Sequence, residues 1–265
     1  MRTQQSSLKQ MSSPNPTVWL IGGSSQLAQA ISKELESDHS IINFGRSSSC
    51  ERYVDLASAE ETEDVFRKCI QELGVPKAIF FCQRFRPSVF DKDLSPSALL
   101  TKATAVEVYP LLTINAVLMS LGKKQLNIRI IVFSSTVVLG RSKNSPRFYS
   151  VTKSMVTSLL PILTSEVFQL GCTWNSILLS EFFKGDGAYT AERQKQLVSA
   201  SKKHVQGKIP TVEDIAFYAR FIIGNTGVYM NGESMVFDGG YIKVGRDTEF
   251  SISKEFFFEI KHEGD

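Results

Sequence analysis

Tyr149 and Lys153 stand four residues apart at the start of a run with apolar residues at helical spacing, so both side chains leave the same face of one helix. A phenol is a sluggish acid or base at neutral pH, but an ammonium beside it favours the phenolate and eases proton transfer. The pair follows an apolar run, Ile128 to Phe133, that ends in Ser134-Ser135. A hydroxyl at that strand end can hold a substrate oxygen while Tyr149 passes the proton. Ser135 is the candidate for this role and Ser134 its near rival. The plain alternative, a buried aromatic beside a surface lysine, leaves the Ser-Ser strand end without a purpose.

A second constellation lies near the amino terminus. The apolar run Val18 to Ile21 passes directly into Gly22-Gly23-Ser24-Ser25-Gln26-Leu27-Ala28 and then into a helix through Leu27, Ile31 and Leu35. A helix amino terminus offers unpaired N–H groups and positive partial charge to a pyrophosphate, and glycine lets the backbone come close. The same residues also suit a tight strand-to-helix turn with no ligand. On the first reading Gly22, Ser24, Ser25, Gln26 and Leu27 are phosphate contacts.

The next strand, Ile41 to Phe44, ends in Gly45-Arg46-Ser47, with no acid in place to take ribose hydroxyls. Arg46 and Ser47 suit a 2′-phosphate and point to NADP (NADPH) rather than NAD, unless Arg46 is simply a solvated loop charge. Asp55 follows a third strand at Tyr53-Val54 and either accepts a hydrogen bond from the adenine amino group or caps the next helix. Leu56 beside it and Cys82, the last residue of the run Ala78 to Cys82, join Tyr149 and Lys153 as candidate cofactor contacts.

These residues need a scaffold that gathers strand ends on one edge. Strand-length runs at Val18–Ile21, Ile41–Phe44, Tyr53–Val54, Ala78–Cys82, Ile128–Phe133 and Trp174–Leu179 alternate with helical patterns over Ala57–Leu73, Ala98–Leu121 and Tyr149–Leu170. Such alternation predicts an α/β, Rossmann-type doubly wound parallel β-sheet with helices on both faces, in a single domain. Ligands of these folds sit beyond the carboxyl ends of the strands, where all the residues above fall.

Composition sets the outer limits. The 265 residues are 42% hydrophobic and 22% charged, with 30 basic residues against 27 acidic ones, a balance that asks for neither nucleic acid nor membrane. The longest apolar runs suit buried strands rather than a bilayer span. Residues 1–16 lack the apolar middle of a secretory signal and read as a disordered tail, which leaves a cytoplasmic location by default. Cys50, Cys69, Cys82 and Cys172 form no Cys-x-x-Cys pair and read as reduced thiols, and His39, His204 and His262 are scattered, so no metal site is expected.

The glycine turn, the strand ending in Ser134-Ser135, Tyr149-x-x-x-Lys153 and the late segment Met230 to Tyr241 with its Asp238-Gly239-Gly240 together resemble the short-chain dehydrogenase/reductase family, from about Thr17 to Val244. The resemblance implies an oxidoreductase that interconverts a carbonyl and an alcohol, with Ser135, Tyr149 and Lys153 as the catalytic serine, tyrosine and lysine. It also implies that Lys153 touches the nicotinamide ribose and that the protein works as a homotetramer or homodimer. Several positions depart from the family pattern. Gln26 and Ala28 stand where later glycines of the turn belong, Phe81-Cys82-Gln83-Arg84 replaces Asn-Ala-Gly, Glu107 replaces the asparagine of the catalytic tetrad, and Leu179-Ser180 replaces a Pro-Gly pair. These departures keep two other readings open: a nucleotide-binding relative without turnover, and an epimerase or dehydratase using the same Tyr-Lys pair.

The segment Glu181 to Val205, rich in Lys184, Arg193, Lys195, Lys202, Lys203 and His204, either attracts an acidic small-molecule substrate or forms a solvated amphipathic helix. Residues 245–265 carry Phe250, Ile252 and Phe256-Phe257-Phe258, which are expected to pack on the domain or on a neighbouring subunit.

Overall fold

The structure is a computed structural model that describes residues 15–122, 125–140, 145–184 and 190–244. The tail proposed for residues 1–16 falls almost wholly outside the described residues, and the extension over 245–265 does so entirely.

Seven parallel strands form one sheet in the order β3-β2-β1-β4-β5-β6-β7. They are β1 (Thr17–Ile21), β2 (Ser40–Gly45), β3 (Arg52–Tyr53), β4 (Ala78–Phe81), β5 (Arg129–Ser135), β6 (Thr173–Leu179) and β7 (Ser234–Phe237). Strands buried on both faces need apolar residues at every position. Hence β4 reads Ala-Ile-Phe-Phe and is buried throughout. Successive side chains supply opposite faces. Trp19 and Ile21 join Phe44, Phe81 and Trp174 on one side, where α2 (Ala59–Leu73), α4 (Tyr109–Ser120) and α5 (Arg147–Val167) cover them. Val18 and Leu20 join Phe80, Phe133 and Ile177 on the other, beneath α1 (Gln26–Leu35) and α7 (Val212–Ile223).

The helix expected over Ala98–Leu121 is two helices, α3 (Pro96–Glu107) and α4, broken at Val108 because Pro110 has no N–H to continue the ladder. The stretch Pro96–Ser120 is long and apolar enough to cross a bilayer by length and composition, but half of its most apolar window is buried, with α3 and α4 packed on α5 and α2. β5 ends in Ser134-Ser135 as expected, and both serines are strand residues paired with Leu178 and Leu179 of β6. The strand order reverses between β1 and β4, and the crevice opens at their carboxyl ends.

Candidate active site

The chain leaves β1 through Gly22, whose φ of +80° lies in the left-handed region and whose added Cβ would stand 2.7 Å from the backbone of Gln83. The amides of Gly22 and Gly23 both donate to the Phe44 carbonyl, at 2.9 and 3.0 Å, and tie the turn to β2. Ser25 caps α1 by accepting from the Ala28 amide at 3.1 Å. The Gln26 and Leu27 amides precede any carbonyl of their own helix that they could reach. Ser25, Gln26 and Leu27 all line a cleft of about 450 Å³, with Gln26 exposed beside it.

The same cleft is lined by Cys82, Gln83 and Arg84 after β4, by Ser134 and Ser135 at the end of β5, and by Tyr149 and Lys153 on α5. The two serines part company here. Ser134 is spent on α5, with its Oγ 3.4 Å from the Lys153 carbonyl and 3.2 Å from Thr157 Oγ1. Ser135 is half-buried and accepts from the Val137 amide at 3.3 Å, which leaves its proton for the cleft.

Lys153 is buried, and its ammonium donates to the Phe133 carbonyl at 3.1 Å and pairs with Glu107 Oε2 at 2.9 Å. Glu107 is also buried, and its Oε1 accepts from the Phe85 amide at 3.0 Å. One carboxylate thus binds the lysine of α5 to the loop after β4. The arrangement follows from the helix break, because Glu107 is the last residue of α3, one position before Val108. The Tyr149 ring centre is 5.9 Å from the Lys153 ammonium and 4.4 Å from the Arg84 guanidinium carbon. Since Lys153 shares its charge with a carboxylate, the nearer and less compensated cation at the Tyr149 ring is Arg84.

Beyond the phenol the lining continues through Ser180, Lys184, Arg193 and Tyr241. His204, grouped in the sequence with the basic residues of this segment, is buried. Its Nδ1 lies 2.9 Å from the Ala200 carbonyl and its Nε2 3.3 Å from Ser180 Oγ. A carbonyl only accepts, so Nδ1 carries a proton toward Ala200, and Ser180 Oγ also lies 3.3 Å from the Glu181 carbonyl. Lys195 and Lys202 are exposed on or just beyond α6 (Ala191–Ser201) and do not line the cleft. Arg84 and Arg86, which the charge pattern of the sequence did not single out, do line it. Burial holds the Lys184 ammonium below its ordinary range, and the neighbouring charges of Arg86, Arg84 and Arg193 add to the effect.

Arg46, Ser47, Asp55 and Leu56 do not line this cleft; Arg46 is exposed and lies 3.8 Å from Asp55 Oδ2. Asp55 does not cap α2. Its Oδ1 accepts from the Ala57 amide at 3.1 Å, while Ser58 is the cap and accepts from the Glu61 amide at 3.2 Å. Leu56 and Cys82 are buried, and burial pushes the Cys82 thiol well above its usual pKa. All four cysteines are free, and among the described residues no three His, Cys, Asp or Glu side chains converge on a metal-sized site.

Residues 26–242 match the family model described as enoyl-(acyl carrier protein) reductase. Among solved structures, the short chain dehydrogenase from Leptospira borgpetersenii with bound NAD+ has a TM-score of 0.74 at 17% identity, covering 91% of this chain and 99% of that one. A short chain dehydrogenase family protein from Francisella tularensis gives 0.68 at 19% identity, with 86% and 99% covered. ElxO with NADP bound gives 0.70 at 17% identity, again with 86% and 99% covered. At these identities the likeness is one of fold. No curated protein matches the chain.

Proposed function

The chain belongs to the short-chain dehydrogenase/reductase family, and from that premise we propose that it is an NADP(H)-dependent oxidoreductase interconverting a carbonyl and an alcohol. The observation that carries this reading is the shared cleft, which joins the amino end of α1 to Ser135, Tyr149 and Lys153.

The residues present fit a dinucleotide. Gln83 lines the cleft and its side-chain carbonyl is buried with no partner, which leaves an acceptor for a ligand donor. In this proposal Gly22, Ser24, Ser25, Gln26 and Leu27 hold the pyrophosphate, Asp55 and Leu56 the adenine end, Cys82 the wall after β4, and Tyr149 and Lys153 the nicotinamide ribose. Relatives of this fold hold NAD+ in one case and NADP in another, which supports a nicotinamide cofactor. The exposed Arg46 with Ser47 and the absence of an acid after β2 favour NADP. When bound, the cofactor supplies or accepts the hydride.

The protein's own groups handle the oxygen and its proton. Ser135 donates to the substrate oxygen, and Tyr149 passes the proton beside the Arg84 charge. Glu107 keeps the Lys153 ammonium in one place. The working form is proposed to be a homotetramer or homodimer, in a reducing compartment that suits four free thiols.

The Lys153–Glu107 pair also favours a second reading, a nucleotide-binding relative without turnover. Titration with NADPH, followed by fluorescence of the bound dinucleotide, is expected to saturate. Tyr149→Phe is expected to lower NADPH oxidation about 1000-fold while the NADPH affinity stays within about twofold. Absence of saturable NADPH binding overturns both readings. Unchanged turnover in Tyr149→Phe removes the catalytic one alone.

A further inference from the structure

The charged side chains of the cleft are unevenly distributed. Away from the compensated Lys153, the lining holds Arg84 and Arg86 from the loop after β4, Lys184 from the chain after β6, and Arg193 from α6. Of these, Arg193 pairs with Glu181 and Lys184 has an interaction of its own, so the two lining cations without a described acid are Arg84 and Arg86. The Arg84 guanidinium lies over the Tyr149 ring, and no carboxylate of the described residues pairs with Arg84 or Arg86. The four cations come from three separate segments, so their meeting is a property of the fold and not of one charged run. They also sense one another, since Arg86, Arg84 and Arg193 each act on Lys184.

Cations gathered in a partly desolvated cleft repel one another, and an anion bound among them relieves that repulsion. In the proposed binding mode the amino end of α1 and Arg46 take the phosphates of the dinucleotide, which leaves these cations without a cofactor role. We propose that the substrate carries an anionic oxygen group, a carboxylate or a phosphate, held by Arg84 and Arg86 with Arg193 and Lys184 lining the same cleft, and with its carbonyl at Tyr149. The inference rests on the oxidoreductase reading of the same cleft and adds the substrate class to it. It also gives Arg84 a double place, touching the catalytic phenol with its face and free to donate to an oxyanion with its N–H edge. A planar fork suits a carboxylate or a phosphate equally, so the two sources have to be separated by experiment.

Two pairs of probes share a ketone and differ in the anionic group: 4-oxopentanoate against its methyl ester, and dihydroxyacetone phosphate against dihydroxyacetone. In NADPH oxidation the charged member of at least one pair is expected to show kcat/KM about tenfold or more above its neutral partner, and the preferred pair names the anion. Arg84→Gln/Arg86→Gln is expected to bring that ratio close to one while NADPH affinity stays within about twofold. Equal rates for charged and neutral members in both pairs overturn the proposal. So does a parallel loss of NADPH affinity in the double variant, which assigns the cations to the cofactor instead. Titration calorimetry of the nucleotide-free protein with the charged probes provides a readout that needs no turnover. If NADPH fails to bind but the charged probes still bind selectively, the oxidoreductase reading falls and the anion site stands.

Discussion

Lys153 ends in a buried corner where its ammonium has two oxygen partners, the Glu107 carboxylate and the Phe133 carbonyl. Removing one member of a buried ion pair strands the other charge, whereas replacing both by apolar groups of similar volume is often nearly neutral. Glu107→Gln keeps an oxygen for the Phe85 amide but leaves the ammonium without a countercharge, and is expected to cost about 3 kcal/mol in urea unfolding. The double variant Glu107→Leu/Lys153→Met is expected to cost clearly less than the sum of its two single changes. Strict additivity would show that the pair is not coupled. Ser135, Tyr149 and Lys153 were legible as positions in the sequence, because strand ends and helical spacing fix them, and Glu107 was picked out only by the family resemblance. The partner that Glu107 takes was not legible, since it depends on a helix break placing a side chain beneath a neighbouring helix. Arg84 and Arg86 were missed as cleft-lining residues for a related reason. They lie on an aperiodic loop, where a charge usually means a solvated surface.

Among the elements, α1 and α7 pack side by side over one face of the sheet, and an ion cluster closes their far end. Arg220 of α7 donates to Asp38, just past α1, at 3.0 and 3.1 Å, and to Glu34 Oε1 at 2.6 Å. The His39 ring lies 3.0 Å from the same Asp38 carboxylate. The hydrogen bond from Arg220, with further help from His39, holds the Asp38 carboxyl down at about 2 against the opposing effect of burial. A carboxyl depressed in the folded state stabilises the protein above its unfolded pKa, near 3.8, and that contribution is lost as pH falls through about 2. Asp38 is half-exposed, so solvent screening limits the effect to about 0.5–1 kcal/mol. Asp38→Asn is therefore expected to be less stable than the parent by about that amount at pH 7, with the gap closing between pH 4 and pH 2. A gap that stays constant over that range, followed by denaturant midpoints, would remove Asp38 as its cause. The two helices were readable from apolar spacing, but their clamp joins residues more than 180 positions apart and leaves no local signal. The break between α3 and α4 was missed because Pro110 sits at the opening turn of a second helix, where proline is tolerated, and so did not interrupt the apolar pattern.

For the whole molecule, strand alternation alone foretold one parallel sheet with helices on both faces, and the order β3-β2-β1-β4-β5-β6-β7 agrees. The outer surface of that arrangement could not be read in advance, because apolar residues on covering helices look the same whether they face the sheet or solvent. Two outward faces are now visible. On one side Leu112 and Met119 of α4 are exposed along with Val151 and Ile162 of α5. On the opposite face of the sheet Phe217 of α7 is 69% exposed, with Phe221 and the β7 residue Val236 also open to solvent. Exposed apolar side chains gathered on a helix surface mark association sites, and closed symmetric assembly uses each face against its own copy. Two separate faces each pairing with itself give a tetramer, whereas one gives a dimer. Light scattering on the full chain is therefore expected to report a mass near four times the 29.5 kDa of one chain. Phe217→Glu is expected to halve that mass and leave the α4–α5 pairing intact, because a carboxylate placed in a self-paired apolar face meets its own symmetry mate. A parent protein that stays at 29.5 kDa at tens of micromolar would refute self-association through either face.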